Sequence, residues 1–292
     1  MVCDLCPRQC GALRDEVQGG GFCGMPSVLV CARASLHLWE EPCLSGKTGA
    51  GTVFFSGCTL GCVFCQNRSI SRENFGKALT EDELYASFQR LADQGAACIE
   101  LVTPTQFTHV LAKVLERPVP GGLPVVWNSG GYECVDVLKA LGGKVDVYLP
   151  DLKYVTPSTA AQYSGVEDYP EAAKAAILEM YRQRGPARLE DGLLKSGVLI
   201  RHLILPGQVM EAKRVMDWIA ETFPPGAVLF SLMAQYTPVG ELEGFPELQR
   251  PLRASELRAA RAYMENLGLR GYVQELEAVG ERFIPAFDLT GL

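Results

Sequence analysis

A loop of three closely spaced cysteines constrains this chain more than any other feature. Cys58, Cys62 and Cys65 stand at C-x3-C-x2-C spacing in the segment GCTLGCVFCQN, residues 57–67, directly after an apolar run. Cubane 4Fe-4S clusters prefer four cysteine ligands, so three thiolates on one loop can hold three irons and leave the fourth iron open. The alternatives are a zinc knuckle or three unrelated core thiols. Zinc usually takes four N or S ligands in paired blocks, and no partner pair lies nearby in the sequence. The spacing therefore predicts a 4Fe-4S cluster with an open iron.

A second cysteine set lies near the N-terminus. Cys3, Cys6, Cys10 and Cys23 have C-x2-C-x3-C-x12-C spacing, among glycines that let the backbone fold around a centre. Four thiolates within about twenty residues form a closed ligand set, which holds structure or passes electrons. Zinc and a second 4Fe-4S cluster both fit, and the uneven spacing slightly favours the cluster. The alternative is a set of reduced thiols on a flexible tail.

The other four cysteines, Cys31, Cys43, Cys98 and Cys134, are spaced like small core residues. Cys43 lies between the two sets and could replace a ligand.

Composition limits the function classes. The chain has 292 residues, 48% of them hydrophobic and 21% charged, which suits one large domain with small appendages. A net charge of −7 argues against a general affinity for nucleic acid, which needs a basic face. The sequence shows no signal peptide and no run of about 18 apolar residues, so we expect a cytoplasmic protein that does not enter a membrane. Eleven cysteines then fit metal binding in a reducing compartment better than disulfides.

From residue 52 onward, short apolar runs alternate with helical periodicity, which predicts βα units and an α/β fold with a parallel sheet. One helix is predicted to begin after Thr80, where Glu83 completes a capping box. Sequence patterning alone leaves open a curved six-stranded partial barrel or an open doubly wound sheet. The predicted strands span residues 52–57, 98–103, 124–128, 145–150, 198–205 and 227–232.

The same pattern predicts three parts of the chain. Residues 1–45 form a small cysteine-rich, metal-binding module, and residues 46–235 form the βα repeat. Residues 236–292, which end in FIPAFDLTGL, close the barrel or line the substrate mouth.

Polar residues at the ends of predicted strands supply groups for holding a zwitterionic cofactor. Asp151 and Lys153 follow the fourth strand, and Arg201 and His202 lie inside the fifth. Charges within apolar runs are costly unless they are paired or bound, and Arg201 could grip a carboxylate with both nitrogens. A structural ion pair inside the barrel is the alternative for these residues.

A polar turn is predicted at the same ends of the strands. Asn128 and Ser129, with two glycines after them, follow the third strand. They suit hydrogen bonding to a ribose or an amine, although a plain turn has the same sequence.

The cysteine loop, with Phe64 directly before its third cysteine, resembles the signature of the radical S-adenosylmethionine (SAM) superfamily. Within it, the chain looks most like the glycyl-radical-enzyme activases, such as pyruvate formate-lyase activating enzymes, and especially their relatives with a CxLCPRxC N-terminus. The likeness covers nearly the whole chain. It rests on the segments CDLCPRQC, ARASLHLWEEP, GCTLGCVFCQN, LVTPTQF, YLPDLKY, RHLILPG, LMAQYTP and FIPAFD.

The resemblance implies a partial (β/α)6 TIM-like barrel and an iron-sulfur oxidoreductase. In such enzymes the open iron binds S-adenosylmethionine, and one electron from a flavodoxin- or ferredoxin-type reductant cleaves it to a 5'-deoxyadenosyl radical. Carried over by position, Phe64 packs near the adenine, while Asp151, Lys153 and Arg201 contact the cofactor. One departure concerns the cofactor amine, because Thr103–Gln106 replaces the Gly-Gly-Glu segment of many members. A second departure is that the extra cysteine set precedes the barrel.

Three functions remain open from the sequence. The first is a radical enzyme that abstracts hydrogen from a protein or peptide, as an activase does. The second is a radical enzyme that acts on a small metabolite. The third, a non-catalytic electron carrier, is disfavoured because a carrier has no use for an open iron in a complete barrel. A tRNA or rRNA substrate is disfavoured by the acidic composition.

Overall fold

A computed structural model describes residues 2–240, 242–274, 276 and 285–292 of this chain. The β-strands of these residues are Leu29–His37 (β1), Ala50–Phe55 (β2), Lys77–Leu79 (β3), Ile99–Val102 (β4), Val125–Ser129 (β5), Val147–Pro150 (β6), Arg188–Glu190 (β7), Leu193–Leu203 (β8), Leu229–Met233 (β9) and Gly271–Val273 (β10). The α-helices are Pro42–Ser45 (α1), Arg68–Ser71 (α2), Glu81–Asp93 (α3), Thr108–Val114 (α4), Val135–Lys139 (α5), Pro157–Ser164 (α6), Tyr169–Arg184 (α7), Val209–Thr222 (α8) and Ala254–Asn266 (α9). Within the described ranges, no helix is long and apolar enough to cross a bilayer.

The strands form one sheet in the order β10-β9-β8-β6-β5-β4-β2-β1-β3, with β7 paired to β8. Pairing is parallel from β2 through β4, β5, β6, β8 and β9 to β10, whereas β1 joins β2 and β3 in antiparallel fashion. Over the described residues the two edge strands, β3 and β10, do not pair with each other, so the sheet stays open. The predicted α/β fold with a partial barrel is therefore confirmed.

All six predicted strands are present, with ends shifted by a few residues. The predicted capping box is also confirmed, because the Thr80 hydroxyl accepts from the amide of Glu83 and the Glu83 carboxylate accepts from the amide of Thr80.

The parallel part of the sheet has one strand more than predicted. Strand β10 lies in the predicted C-terminal segment, and its three residues are too few to show a periodic pattern. A Cβ on Gly271 would lie 1.8 Å from the carbonyl oxygen of Phe230, so glycine is needed for this close pairing with β9.

Strand β1 was also missed, because its first four residues are buried and it therefore lacks polar and apolar alternation. It lies inside the segment predicted as the cysteine-rich module and belongs to the main sheet. The predicted domain boundaries themselves stay predictions. Of the C-terminal FIPAFDLTGL segment, the first two residues lie outside the described residues.

The described C-terminal residues pack along β1. The amide of Ala34 donates to the carbonyl of Thr290, the amide of Leu289 donates to the carbonyl of Ala32, and Arg33 forms an ion pair of 2.9 Å with Asp288. These contacts extend the sheet beyond the short strand β3.

We expect the Thr80→Ala substitution to destabilise the protein by about 1 kcal/mol, because it removes the side-chain cap of α3. Anaerobic urea unfolding followed by far-UV circular dichroism measures the effect. Thr80→Ser keeps the hydroxyl and serves as the control. Equal unfolding midpoints for Thr80→Ala and the wild type would show that the capping box contributes nothing.

Candidate active site

The carboxyl ends of the parallel strands meet at one edge of the barrel, where loops commonly carry functional groups. A cavity of about 650 Å³ opens there. The predicted site residues that line it are Cys58, Cys62, Phe64, Cys65, Asn128, Ser129, Asp151, Lys153 and Arg201. The fold thus brings together side chains from the ends of β2, β5, β6 and β8.

Each cysteine sulfur of the loop after β2 has a hydrogen-bonding partner. The amide of Leu60 donates to Cys58 Sγ at 3.4 Å, and Cys62 Sγ lies 3.0 Å from the hydroxyl of Ser164 at the end of α6. Cys65 Sγ lies 3.3 Å from the hydroxyl of Ser71 in α2. A hydrogen bond donated to sulfur stabilises its anionic form, and the hydroxyls of Ser164 and Ser71 can act as donors once the sulfurs bind iron.

Metal binding at the loop after β2 must displace protons from buried thiols. In the described part of the chain, no three Cys, His, Asp or Glu side chains form a ready-made site for a metal ion. Burial raises the pKa of Cys58 to about 12 and also raises the pKa of Cys62, so metal binding must displace their protons.

An ion-pair network crosses the cavity beside the cysteines. Asp151 accepts from Lys153 Nζ at 2.6 Å and from Arg201 Nε at 3.0 Å. Arg201 also donates to the side-chain oxygen of Asn128 at 2.6 Å. Burial alone would raise the pKa of Asp151, but the two cations outweigh burial and lower it, so Asp151 is ionised. These residues can present both charges to a zwitterionic ligand.

Carboxylates outnumber cations in this network. Glu40 lies 3.4 Å from Arg201, and Glu41 accepts from the hydroxyl of Ser231 at 2.5 Å. Burial and the neighbouring Glu40 raise the pKa of Glu41 to about 7. The same two causes raise the pKa of Glu100 well above its usual range, and a hydrogen bond between the Glu100 and Glu40 carboxyls adds to the effect. This side of the cavity therefore favours protons or a cationic ligand.

Two groups of predicted residues lie elsewhere. His202 is buried outside the cavity lining, with its Nδ1 2.8 Å from the carbonyl oxygen of Leu152. The N-terminal set of four cysteines lines a second, much smaller cavity together with Thr59 and Gln106.

Sequence reasoning assigned no role to Glu40, Glu41 or Gln106. A pair of glutamates within the apolar segment LHLWEEPCL was a signal for the first two, since such charges need partners. Gln106 has no comparable signal, because its role depends on tertiary contacts. Its side-chain amide donates to the carbonyls of Ser56, Gly57 and Thr103 and fixes the start of the cysteine loop.

Comparison with known proteins agrees with this geometry. The sequence profile of the Radical SAM superfamily matches residues 52–219, more than half of the chain. An uncharacterized protein of Methanocaldococcus jannaschii is 28% identical over 276 residues, which is 91% of this chain and 75% of that protein.

Solved structures share the fold at low identity. SuiB of Streptococcus suis, in a crystal structure with precursor peptide SuiA, matches with a TM-score of 0.51 and 11% identity. The match covers 75% of this chain and 47% of SuiB, so this chain spans less than half of that structure. A domain of pyruvate-formate lyase-activating enzyme from Bacteroides vulgatus matches with a TM-score of 0.41 and 11% identity, over 59% of this chain and 91% of that domain.

Glu41 predicts a pH dependence of stability. The pKa of Glu41 is about 7 in the folded protein and near 4.5 in the unfolded chain. Between these two pH values the folded state keeps a proton that the unfolded chain releases. Its contribution to stability therefore falls as the pH rises through this window and is constant above it. Glu41→Gln removes the ionisable group but keeps an oxygen for Ser231. Relative to the wild type, we expect its unfolding free energy to rise by roughly 2 to 3 kcal/mol from about pH 5 to about pH 8.

Anaerobic urea titrations at several pH values measure this difference. Glu16→Gln, on an exposed turn, is the control and should track the wild type at every pH. If the unfolding free energies of Glu41→Gln and the wild type differ by the same amount at every pH, Glu41 has an ordinary pKa.

Proposed function

Because this chain belongs to the radical SAM superfamily, we propose that it directs radical chemistry at a protein or peptide substrate, as activases do. It is an enzyme whose family uses a 4Fe-4S cluster and S-adenosylmethionine. When bound, these groups supply a 5'-deoxyadenosyl radical that abstracts hydrogen from the substrate. The observation that carries the proposal is the set of three hydrogen-bonded cysteines at the head of a cavity that also holds Asp151, Lys153 and Arg201.

We assign the cluster to Cys58, Cys62 and Cys65, and the adenine contact to Phe64. The network of Asn128, Ser129, Asp151, Lys153 and Arg201 then binds the charged amino acid end and ribose of S-adenosylmethionine. The chemistry of the cavity supports this assignment, because fixed cations and oxygen acceptors within one cavity match a zwitterion with hydroxyl groups. His202, by contrast, positions the backbone through Leu152.

The segment after β4 contributes little to the cofactor site. Thr105 donates to Glu133, and the side chain of Gln106 binds the backbone of the cysteine loop. Thr103 is the one residue of Thr103–Gln106, the segment that replaces Gly-Gly-Glu, in the described lining of the cavity. The cofactor amine therefore depends on other strand ends, among which Asp151 supplies an ionised carboxylate.

A peptide or protein substrate is supported by the rim of the cavity. Leu38 and Trp39, which line the cavity, are 62% and 67% exposed. Aromatic and apolar groups at an open mouth suit a partner that covers them, since tryptophan is enriched at protein interfaces. SuiB was solved with a precursor peptide, so this general fold is compatible with a peptide ligand.

A second candidate is a small cationic metabolite. Glu40 and Glu41 line the same cavity, and the excess of buried carboxylates there would be neutralised by an amine. The two candidates differ in which cavity residues the substrate contacts.

The N-terminal cysteines are proposed to hold a second 4Fe-4S cluster rather than zinc. The four thiols line one small cavity, and four thiolates complete the ligand set of a cubane cluster. We further propose a cytoplasmic protein that receives electrons from a flavodoxin- or ferredoxin-type reductant.

Replacing Cys58, Cys62 or Cys65 by Ala should abolish S-adenosylmethionine cleavage, because each loss removes one of the three iron ligands. Anaerobically reconstituted enzyme with Ti(III) citrate should form 5'-deoxyadenosine, measured by chromatography. Cys134→Ala, a half-buried thiol outside both sets, should retain the activity. Retained cleavage in any of the three ligand variants would refute the assignment.

Arg201→Lys keeps the charge but loses the fork that reaches Asp151 and Asn128 together. We expect the affinity for S-adenosylmethionine to fall by roughly 1 to 3 kcal/mol, the scale of a hydrogen bond to a charged group. Equilibrium binding on protein with a full iron content measures the change. An unchanged affinity would limit Arg201 to a structural ion pair.

The two substrate classes can be separated by stimulation of 5'-deoxyadenosine formation. A pool of synthetic peptides should accelerate it, and Trp39→Ala should lose the stimulation but keep the unstimulated rate. If a pool of small amines accelerates it instead and Glu41→Gln removes that effect, the metabolite candidate replaces the peptide.

A further inference from the structure

We infer that the N-terminal cysteine set is an electron relay into the radical cluster. Its metal centre, a 4Fe-4S cluster held by Cys3, Cys6, Cys10 and Cys23, takes one electron from a flavodoxin- or ferredoxin-type reductant. It then passes that electron to the cluster of the cysteine loop after β2. The step moves one electron and neither forms nor breaks a bond. This inference rests on the proposed function, because it needs a radical cluster to receive the electron.

The two ligand loops touch at residues that adjoin ligands. Thr59, next to Cys58, lines the small cavity of the N-terminal set. A Cβ built on Gly57 would lie 2.9 Å from the carbonyl oxygen of Cys23, so the two backbones are in contact there. Electron transfer between centres falls off steeply with distance, and at these contacts the neighbours of Cys58 touch the segment that carries the N-terminal cysteines.

A third contact joins the same loops through an aromatic ring. Phe22 precedes Cys23, and its ring edge lies 3.1 Å from the position of a Cβ on Gly61. The guanidinium groups of Arg8 and Arg72 lie 3.4 and 4.4 Å from the ring centroid. Arg8 also donates to the carbonyl of Thr59 at 2.6 Å and thereby ties the N-terminal loop to the cysteine loop.

A chain of hydrogen bonds connects the two sets as well. Arg14, which is buried, lies 3.6 Å from Cys3 Sγ and donates to the backbone carbonyl of Gln106 at 2.8 Å. The side chain of Gln106 donates to the carbonyl of Gly57, which precedes Cys58. A buried cation that donates to a ligand sulfur favours the reduced, more negative state of a cluster. The N-terminal centre is thus suited to accept an electron.

Electrons from a protein reductant would enter at the exposed part of the N-terminal cysteine set. Cys10 is exposed, whereas the three cysteines of the loop after β2 line the cavity that S-adenosylmethionine would fill. The same N-terminal segment also exposes several apolar residues: Val2, Leu13, Val17 and Phe22. A protein reductant can therefore reach the N-terminal centre without entering the cavity.

Reduction of the intact holoenzyme tests the relay directly. The wild type is mixed with reduced ferredoxin, frozen at successive times and examined by electron paramagnetic resonance. S-adenosylmethionine changes only the signal of the cluster with the open iron, so the two clusters can be told apart. We expect the insensitive signal to appear first and the sensitive signal to grow as the first one declines. Simultaneous appearance, or the sensitive signal first, would overturn the relay.

A variant with Cys3, Cys6, Cys10 and Cys23 replaced by Ser provides the second test. With ferredoxin, we expect its radical cluster to be reduced at least tenfold more slowly, while Ti(III) citrate reduces it at the wild-type rate. Cys134→Ser, which removes one thiol beside this module, is the matched control and should behave as the wild type. An unchanged rate with ferredoxin would refute the relay. So would one zinc per wild-type chain in place of about four additional irons.

These outcomes are separable from failure of the proposed function. Wild-type enzyme that forms no 5'-deoxyadenosine with Ti(III) citrate would contradict the radical chemistry, whatever the order of reduction. If the cysteine variant fails to fold, the order of the two signals in the wild type still decides the relay.

Discussion

The Arg201 guanidinium is the point on which the architecture of the site depends. It lies on β8 and binds Asp151, which follows β6, and Asn128 on β5. It also approaches Glu40, which lies in the segment before α1. Four parts of the chain thus meet at one partly buried cation. Removing one partner would leave a poorly compensated charge in the wall of the cavity. The same network gives the cavity its fixed charges, so stability and ligand binding cannot be varied independently here.

The parallel sheet explains why distant segments form one site. Each strand delivers its following residue to the same rim, so Cys58 after β2 and Lys153 after β6 share a cavity. The four N-terminal cysteines line a separate, smaller cavity, and their segment contacts the cysteine loop at Thr59 and Gly57. In the proposed relay, the cysteine loop therefore lies between the cavity assigned to the cofactor and the N-terminal cysteines assigned to the reductant.

Local patterns were sufficient to predict much of this molecule. The cysteine spacing and the capping box at Thr80 each lie within a short segment of sequence. The six parallel strands are recognisable as continuous apolar runs because both of their faces are buried. Tertiary partners were not predictable. The charges of Glu40 and Glu41 indicate that they need partners, but the sequence does not identify those partners as Arg201 and Ser231. Gln106 is recognised only by its contacts with the backbone of the cysteine loop. Strand β10 escaped prediction because three residues carry no period.

The packing of residues 285–292 along β1 has a consequence for how the chain folds. Arg33 and Asp288 are 255 positions apart, and closing a loop of that length has a large entropic cost unless the intervening sheet is already in place. Contacts of such high sequence separation form late and slow folding. The edge of β1 must therefore remain uncovered during most of folding. Fusion or truncation near residue 292 would prolong the time in which this strand can pair with another chain.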